Sequence, residues 1–600
     1  MMARKSKERS KGSRSGRAGR KDGRGLRRSR LFLVSAFFGC LALAVVAKLF
    51  FIQVLSHGDL SQRARVQYQK SIYLTPGRGT IMDRRGRELA HNVESFSIYA
   101  DLSNLEDRGR SARLLSRELT APTGTLLKKL EGEKGFVWLK RQVPPKEAQG
   151  VKSLDLKGVG LITESRRFYP QKDLASQIVG FAGVDSQGLE GIEYAYDRYL
   201  KGNAGWLIVH RDAKNRPVYV EGYQDDPENR GYDVTLAIDQ NIQYFAQEEI
   251  RSAVLKTGAK KGLLMVMEPR TGEILAMALS TYFNPNNRSS FKSSQYRNVC
   301  ITDVYEPGST MKPFILAAAL EQGLVSGEDI IPCGNGSIVV GGRTIRDIHS
   351  YEELTAREVI VFSSNVGAIN IGLSLPPEDY YRWMIHFGFG VETGVDLPGE
   401  SDGLIREPSE WSGLSQASMS IGQEVGVTPL QLLCGYAAFA DDGLIHRPRI
   451  VRSISRDGRP FKVFPPEILR RAVTPRTASL VKSILREVVE RGTGRAAAIP
   501  GYTAAGKTGT AQKFDASEGQ YSREKYLSSF VGFTPVDDPA VVILVMLDEP
   551  EGAYYGGSVA APVFSRVGRR ILEYLAVPPD NPDDGLNTVD KGTGRLVNAG

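Results

Sequence analysis

Cysteine and histidine are scarce in this 600-residue chain. Four cysteines (Cys40, Cys300, Cys333, Cys434) and six histidines are spread along it. Spacings of 33 and 101 residues among the last three cysteines do not fit a metal knuckle. An oxidising compartment would permit one disulfide, but buried free thiols are the expectation. The scattered histidines form no Ser-His-Asp set, and G-x-S-x-G is absent. No repeat period is visible, which excludes a solenoid. No second long apolar run follows the first, which excludes a multi-pass membrane protein.

Beyond residue 30 the chain also lacks net charge. The total is +10, residues 1–30 carry +11, and the remaining 570 residues sit at about −1. A basic, Gly/Ser-rich arm of this kind can bind nucleic acid, but its neighbour favours another role. Leu31 to Ala47 is an uncharged run of 17 residues, and LFFIQVL resumes after Lys48. With that continuation it covers a bilayer core of about 30 Å. Lys48 near its end can snorkel to the interface. The expectation is an uncleaved single-pass anchor rather than a signal peptide, because Ala42-Leu43-Ala44 lies inside the run. Basic charge before it places the N-terminus in the cytoplasm and everything after about residue 55 outside the cytoplasmic (inner) membrane. No nucleic-acid partner is expected.

Residues 56–225 are mixed, with strands expected at 206–210 and 217–223. DVTLAIDQ (233–240) reads as a strand, and NIQYFAQEEIRSAVLK carries apolar residues at helical spacing. GLLMVMEPRTGEILAMAL reads as two strands around a turn. Residues 309–323 look helical. Strands at 503–512, 527–533 and 540–547 precede a final helix near 560–576. Early and late strands can then form one antiparallel sheet with helices on its faces, an α+β class. The expected divisions are 1–30, a basic arm; 31–55, the anchor; 56–228, a mixed β-rich pedestal; 229–577, a catalytic domain; and 578–600, a disordered tail.

GYTAAGKTGT (501–510) fits the phosphate-loop pattern G-x-x-x-x-G-K-[ST], and VVILVMLDEP follows as a possible metal-holding strand. A phosphate loop needs a buried strand before it and a helix after it. RGTGRAAAIP is no such strand, GTAQKFDASEGQ is a poor helix, and the topology places the motif away from ATP. The nucleotide-hydrolase reading is set aside, and Gly501 and Gly506 are expected to be bends leading into a strand.

Lys507-Thr508-Gly509 also ends the set Ser-x-x-Lys, Ser-x-Asn, Lys-Thr-Gly, the apparatus of acyl transfer by serine. Ser-x-x-Lys starts at Ser289, Ser309, Ser479 and Ser522. Only Ser309, in EPGSTMKPFILAAALEQG, combines a turn with an apolar helix, and Lys312 lies one turn on. Ser363-Ser364-Asn365 follows 54 residues later, and Lys507 lies 144 residues beyond Ser363. A serine attacks an amide only if a base takes its proton, and without histidine that base is Lys312 as a neutral amine. Burial and the second cation Lys507 would lower its pKa. Ser363 can relay the proton and Asn365 can hold Lys312 and the substrate amide. The backbone N–H groups of Ser309 and Thr510 can form an oxyanion hole. A peptide adding to the Lys507–Thr510 strand would bring a terminal carboxylate to Lys507, Thr508 and Thr510, with Gly509 permitting close approach. No metal and no cofactor enter this chemistry.

PGRGTIMDRRGRELA (76–90), RRFYPQKDLASQIVGFAGVDSQGLEGIEYAYDRYLKG (166–202), RNVCITDVYEPGSTMKPF and YYGGSVAAPVF together resemble the class B penicillin-binding proteins. These are monofunctional peptidoglycan D,D-transpeptidases. GVDSQGLEGIE and ITDVYEPGSTMKP are most similar to the septal, cell-division branch, with the elongation branch as alternative. The resemblance implies a pedestal below a transpeptidase domain and a substrate ending in D-Ala-D-Ala. It implies a serine acyl-enzyme formed with release of D-Ala, and inhibition by β-lactams. A SEDS-family glycan polymerase and other divisome membrane proteins are the implied partners. No E-x-x-L-N supplies the deacylating glutamate of a class A β-lactamase. D,D-carboxypeptidase activity, with water replacing the acceptor amine, stays open.

Overall fold

A computed structural model describes residues 23–74, 77–132, 135–203, 205–211, 217–222, 230–515 and 519–581. Most of the basic arm and the tail beyond residue 581 lie outside the described residues. The chain divides into two units, Met1–Leu74 with Trp206–Gln224, and Thr75–Gly205 with Asp225–Gly600.

In the first unit helix α1 spans Gly23–Phe50 and passes through a wider turn, Phe51–Leu55, into a helix at His57–Tyr68. Its apolar stretch Arg30–Leu55 is 26 residues long and wholly unburied, about 39 Å at 1.5 Å per residue. The helix begins inside the basic arm, since Arg and Lys are good helix formers. The strand Gln69–Leu74 pairs with a hairpin of Gly205–Arg211 and Pro217–Gly222.

Among the described residues the second unit holds two large sheets and four two-stranded ones. One large sheet contains β1 (Ile81–Met82), β2 (Glu88–Asp101), β3 (Phe136–Val143), β4 (Val159–Phe168) and β5 (Asp233–Leu236), with a hairpin from Val451–Arg456 and Arg459–Val463. β5 pairs in parallel with β1 and antiparallel with Val451–Arg456. The sequence placed DVTLAIDQ with the catalytic half, whereas β5 joins the pedestal strands and the chain returns there at 451–463. Periodicity identifies a strand but not its partner.

The second sheet follows α2 (Gln240–Thr257). Its strands are β6 (Lys261–Glu268), β7 (Glu273–Leu279), β8 (Ala505–Asp515), β9 (Gln520–Thr534) and β10 (Val541–Asp548). The order is β7-β6-β10-β9-β8, all antiparallel, so first and last strands meet as the sequence suggested and β8 lies at an edge. Alternation along β6 sends Leu264 and Val266 to one face and Leu263 and Met265 to the other. The first face packs on α2 and the final helix, Ala561–Tyr574. The second packs on a helical body that includes Lys312–Glu321 and Pro429–Ala440. The chain after the final helix docks on the segment that leads into β8: the Asn581 N–H donates to Gly501 O at 3.1 Å, and Asp580 accepts from Thr503 N at 2.7 Å.

Candidate active site

The turn Glu306-Pro307-Gly308 delivers Ser309. Gly308 has φ +58, a conformation that favours glycine, and its N–H donates to Gly422 O at 3.0 Å. Ser309 was expected at the start of an α-helix. It sits instead in a tighter 3-10 turn, Gly308–Met311, and the α-helix begins at Lys312. Pro313 explains the offset: it brings no N–H, so it fits in a first helical turn and not deeper. The turn is anchored by Thr310 Oγ1 donating to Pro307 O at 2.7 Å and by Tyr436 OH donating to Thr310 O at 2.9 Å. Ser309 is half-buried, and among the described residues its hydroxyl has no hydrogen-bond partner.

Lys312 is 1% exposed and points from the next turn into the second motif. Its Nζ donates to Ser363 O at 2.7 Å and to Asn365 Oδ1 at 2.7 Å, and lies 3.3 Å from Ser363 Oγ. Ser363 occupies the left-handed region at φ +63, between the helix Ala356–Val361 and the helix Asn365–Leu373. That conformation is costly for a serine and turns its hydroxyl and carbonyl toward the lysine. Ser364 caps the second helix by accepting from Gly367 N at 3.0 Å.

Lys507 comes from β8 and is fully buried. Its Nζ donates to Ser363 Oγ at 2.9 Å and lies 3.4 Å from Thr508 Oγ1. A single hydroxyl, Ser363 Oγ, therefore joins the two lysines. Alongside, Thr510 Oγ1 accepts from Gly556 N at 3.0 Å, which leaves its proton free to donate. A Cβ on Gly509 would meet Ser529 Oγ at 2.3 Å and Thr310 Cγ2 at 3.0 Å, so glycine lets the Ser309 turn press against the strand.

Burial pushes the Lys312 amine down to about 7, against the opposing pull of the Asp347 carboxylate. Lys507 is held well below the ordinary lysine range, by burial first and by the charge of Lys312 second. Burial thus disfavours the protonated form of both amines. Chemically this is a base and a proton path built from two amines and one hydroxyl, with Lys312 one turn after Ser309. Hydrogen-bond distances link Lys312, Ser363, Asn365, Lys507 and Thr508, and Gly509 brings β8 against the turn that carries Ser309.

Two contributors escaped the sequence reading. Asp347 accepts from Ser364 Oγ at 2.6 Å, from Val366 N at 3.1 Å and from Asn365 N. It holds the second motif at its helix N-terminus, where a carboxylate is favoured. Thr493 Oγ1 lies 2.9 Å from Thr508 Oγ1, and Thr493 is an exposed residue of the loop after Pro475–Glu490. Neither residue sits in a pattern that spacing could reveal. The phosphate-loop alternative also ends here. Lys507 lies inside a strand, paired with Val531, with no helix N-terminus after it. Gly506 is likewise within β8 and not a bend, since a Cβ there would meet Val531 O at 2.6 Å; Gly501, at φ +83, is the bend. All four cysteines are free thiols, three of them buried. Among the described residues no group of three or more His, Cys, Asp or Glu could hold a metal.

The sequence matches the penicillin binding protein transpeptidase domain over residues 262–569 and the penicillin-binding protein dimerisation domain over residues 73–236. It is 35% identical over 570 residues to the probable peptidoglycan D,D-transpeptidase PbpC of Pseudomonas aeruginosa, covering 94% of this chain and 98% of that protein. It is 34% identical to the peptidoglycan D,D-transpeptidase FtsI of Escherichia coli K12, covering 92% and 93%. Among solved structures, penicillin-binding protein 3 of Mycobacterium tuberculosis complexed with aztreonam superposes with a TM-score of 0.66 at 29% identity, covering 85% of this chain and 99% of that one.

Proposed function

The chain belongs to the class B penicillin-binding proteins, and from that membership and the geometry around Ser309 we propose that it is a serine peptidoglycan D,D-transpeptidase of septal wall synthesis. The observation that carries the chemistry is Ser363 Oγ, hydrogen-bonded to Lys507 Nζ and beside Lys312 Nζ, one turn of chain after Ser309.

Ser309 Oγ attacks the carbonyl between the two D-Ala residues, and its proton passes to neutral Lys312. The oxyanion is received by the backbone N–H groups of Ser309 and Thr510, a contribution of about 2.7–4 kcal/mol for one donor. Collapse breaks the peptide bond. The departing D-Ala amine takes a proton through Ser363, and an ester to Ser309 remains. An amine of a second stem peptide then attacks the ester, gives its proton to the same base and frees Ser309. Lys507, Thr508 and Thr510 hold the terminal carboxylate until it departs with the released D-Ala. A β-lactam enters by the same route, but its leaving amine stays tethered, so the ester persists.

The septal assignment draws on the likeness to the Escherichia coli FtsI protein. The arm's +11 charge supports a cytoplasmic N-terminus with the catalytic domain on the outer side of the membrane. A SEDS-family polymerase and other divisome proteins are the proposed membrane partners. The test is a fluorescent penicillin applied to the detergent-solubilised chain and to Ser309→Ala. Labelling lost in the variant supports the reading, and labelling retained refutes it. Depletion separates the branches: filaments with blocked septa support division, and rounded cells support elongation.

A further inference from the structure

Acyl transfer to an amine uses the cleft twice. Once D-Ala has left, the donor peptide remains esterified to Ser309, so the acceptor must enter on the side that D-Ala vacated. Ser363, Lys507 and Thr508 bound that side, and Thr493 extends it, its Oγ1 2.9 Å from Thr508 Oγ1.

Two segments meet there. The Thr493 N–H donates to Val361 O at 3.3 Å, which seats the loop at 491–494 against the chain just before Ser363. A Cβ on Gly492 would meet Val361 O at 2.4 Å, so glycine is what lets the loop come this close. Phe362 stands between Val361 and Ser363 and is half-buried. The Tyr351 ring stacks on it with centroids 5.8 Å apart and planes at 20°, and Arg491 Cζ lies 5.5 Å from its centroid. That guanidinium is committed to Glu487 at 2.5 Å and faces Glu358 at 3.5 Å. With its charge compensated, Phe362 and Tyr351 offer an apolar shelf rather than an anion site.

We propose that this shelf is the acceptor subsite, and that it selects an amine whose carbon carries both a carboxylate and a linear apolar stem. The carboxylate takes the place that D-Ala left at Lys507 and Thr508, and the stem lies across Phe362 and Tyr351. This rests on the transpeptidase reading. The amine nitrogen bonds to the ester carbonyl carbon, the bond to Ser309 Oγ breaks, and one amine proton returns to Oγ through Lys312. A stem held on the rings keeps the amine at that carbonyl, where it competes better with water. A short or polar stem gains nothing from the rings.

The detergent-solubilised full chain is given an acyl-D-alanyl thioester as donor, with D-alanine, D-norleucine or D-glutamine as acceptor at equal concentration. Mass spectrometry reads the ratio of aminolysis to hydrolysis product. D-Norleucine should exceed D-alanine by about fivefold, through partial burial of its extra methylenes, and D-glutamine should stay near D-alanine. In Phe362→Ala the D-norleucine advantage over D-alanine should fall to near one. That comparison is internal to each protein and cancels any general loss of activity. Equal ratios for the three acceptors in the unaltered protein overturn the proposal, whether or not the variant folds. So does a D-glutamine ratio as high as that of D-norleucine, or an advantage that survives Phe362→Ala. Hydrolysis with no aminolysis by any acceptor would instead bring down the transpeptidase reading, and the acceptor subsite with it.

Discussion

Glu193 and Lys312 are 0% and 1% exposed, yet the protein surrounds them in opposite ways. Glu193 receives Arg78 Nε at 2.5 Å and Arg167 Nε at 2.6 Å, with Tyr169 OH at 3.2 Å. Arg78 spends its remaining donors on Asp197 Oδ1 at 2.6 Å, Ser186 O at 2.7 Å and Glu193 O at 2.6 Å. Burial alone would raise the Glu193 carboxyl, and the two guanidiniums more than reverse it. Around Lys312 the contacts are a carbonyl, an amide oxygen and a hydroxyl shared with another buried lysine. There burial wins and the amine falls to about 7. Compensated charge fixes the pedestal's shape, while uncompensated charge leaves an amine able to take a proton.

The largest way to break the contrast is to uncompensate the first cluster. Glu193→Gln leaves Arg78 and Arg167 buried without their anion, and a cost of about 3–5 kcal/mol is expected. Thermal melting of the solubilised protein should show a large drop, and any chain that stays folded should keep its penicillin reactivity. An unchanged melting temperature would mean that Glu193 does not hold the pedestal.

Lys312→Arg tests the second cluster from the other side. A guanidinium stays protonated and cannot serve as base. Acylation by penicillin should fall by about a thousandfold, the middle of the range for a positioned base. In the unaltered protein the acylation rate should rise with pH and level off above about 7, as Lys312 loses its proton. Stability should follow the same group. Between about pH 7 and the ordinary lysine value near 10.4 the unfolded chain binds the proton and the folded site does not. Stability therefore climbs with pH across that window, and Lys312→Met should flatten the climb. A pH-independent acylation rate would remove Lys312 from the role of base.

Asp347→Asn sharpens the comparison at smaller scale, because Asp347 is an anion that acts on Lys312. It raises the Lys312 pKa, so its neutralisation should move the lower limb of the pH–rate profile to lower pH. Loss of charge at the helix N-terminus should cost about 1 kcal/mol of stability. A profile unmoved by the substitution would make Asp347 a helix cap and nothing more.

The two clusters were unequally legible in the sequence. Ser309, Lys312, Ser363, Asn365 and Lys507 could be picked out because serine acyl transfer fixes residue types, order and context along the chain. The five-stranded sheet followed from apolar runs with turns between them. Glu193, Arg78 and Arg167 were quoted only inside longer stretches, since a charged residue shows nothing of its burial until its partner is placed. Arg78 and Glu193 lie 115 residues apart. The same limit hid Asp347, and it misassigned β5, whose partners are Ile81–Met82 and Val451–Ser455. The absence of a hydrogen bond from Ser309 was equally invisible, because spacing places Lys312 one turn away but does not say that Ser363 and Asn365 hold its amine.

Thr493→Val carries the smallest expected effect and probes the edge of the uncompensated cluster. Among the described residues Thr508 Oγ1 lies 2.9 Å from Thr493 Oγ1 and 3.4 Å from Lys507 Nζ. If Thr508 binds the substrate carboxylate, it must donate its proton outward, and Thr493 is then the group that can donate to Thr508 in turn. Valine keeps the shape and removes that donor. The loss should be about 1 kcal/mol, roughly fivefold in the rate of penicillin acylation. The lower limb of the pH–rate profile should stay in place, because Thr493 does not touch Lys312. A shifted limb would mean that the threonine pair acts on the lysines rather than on the carboxylate, and the boundary between positioning and proton transfer would move from Ser363 to Thr508.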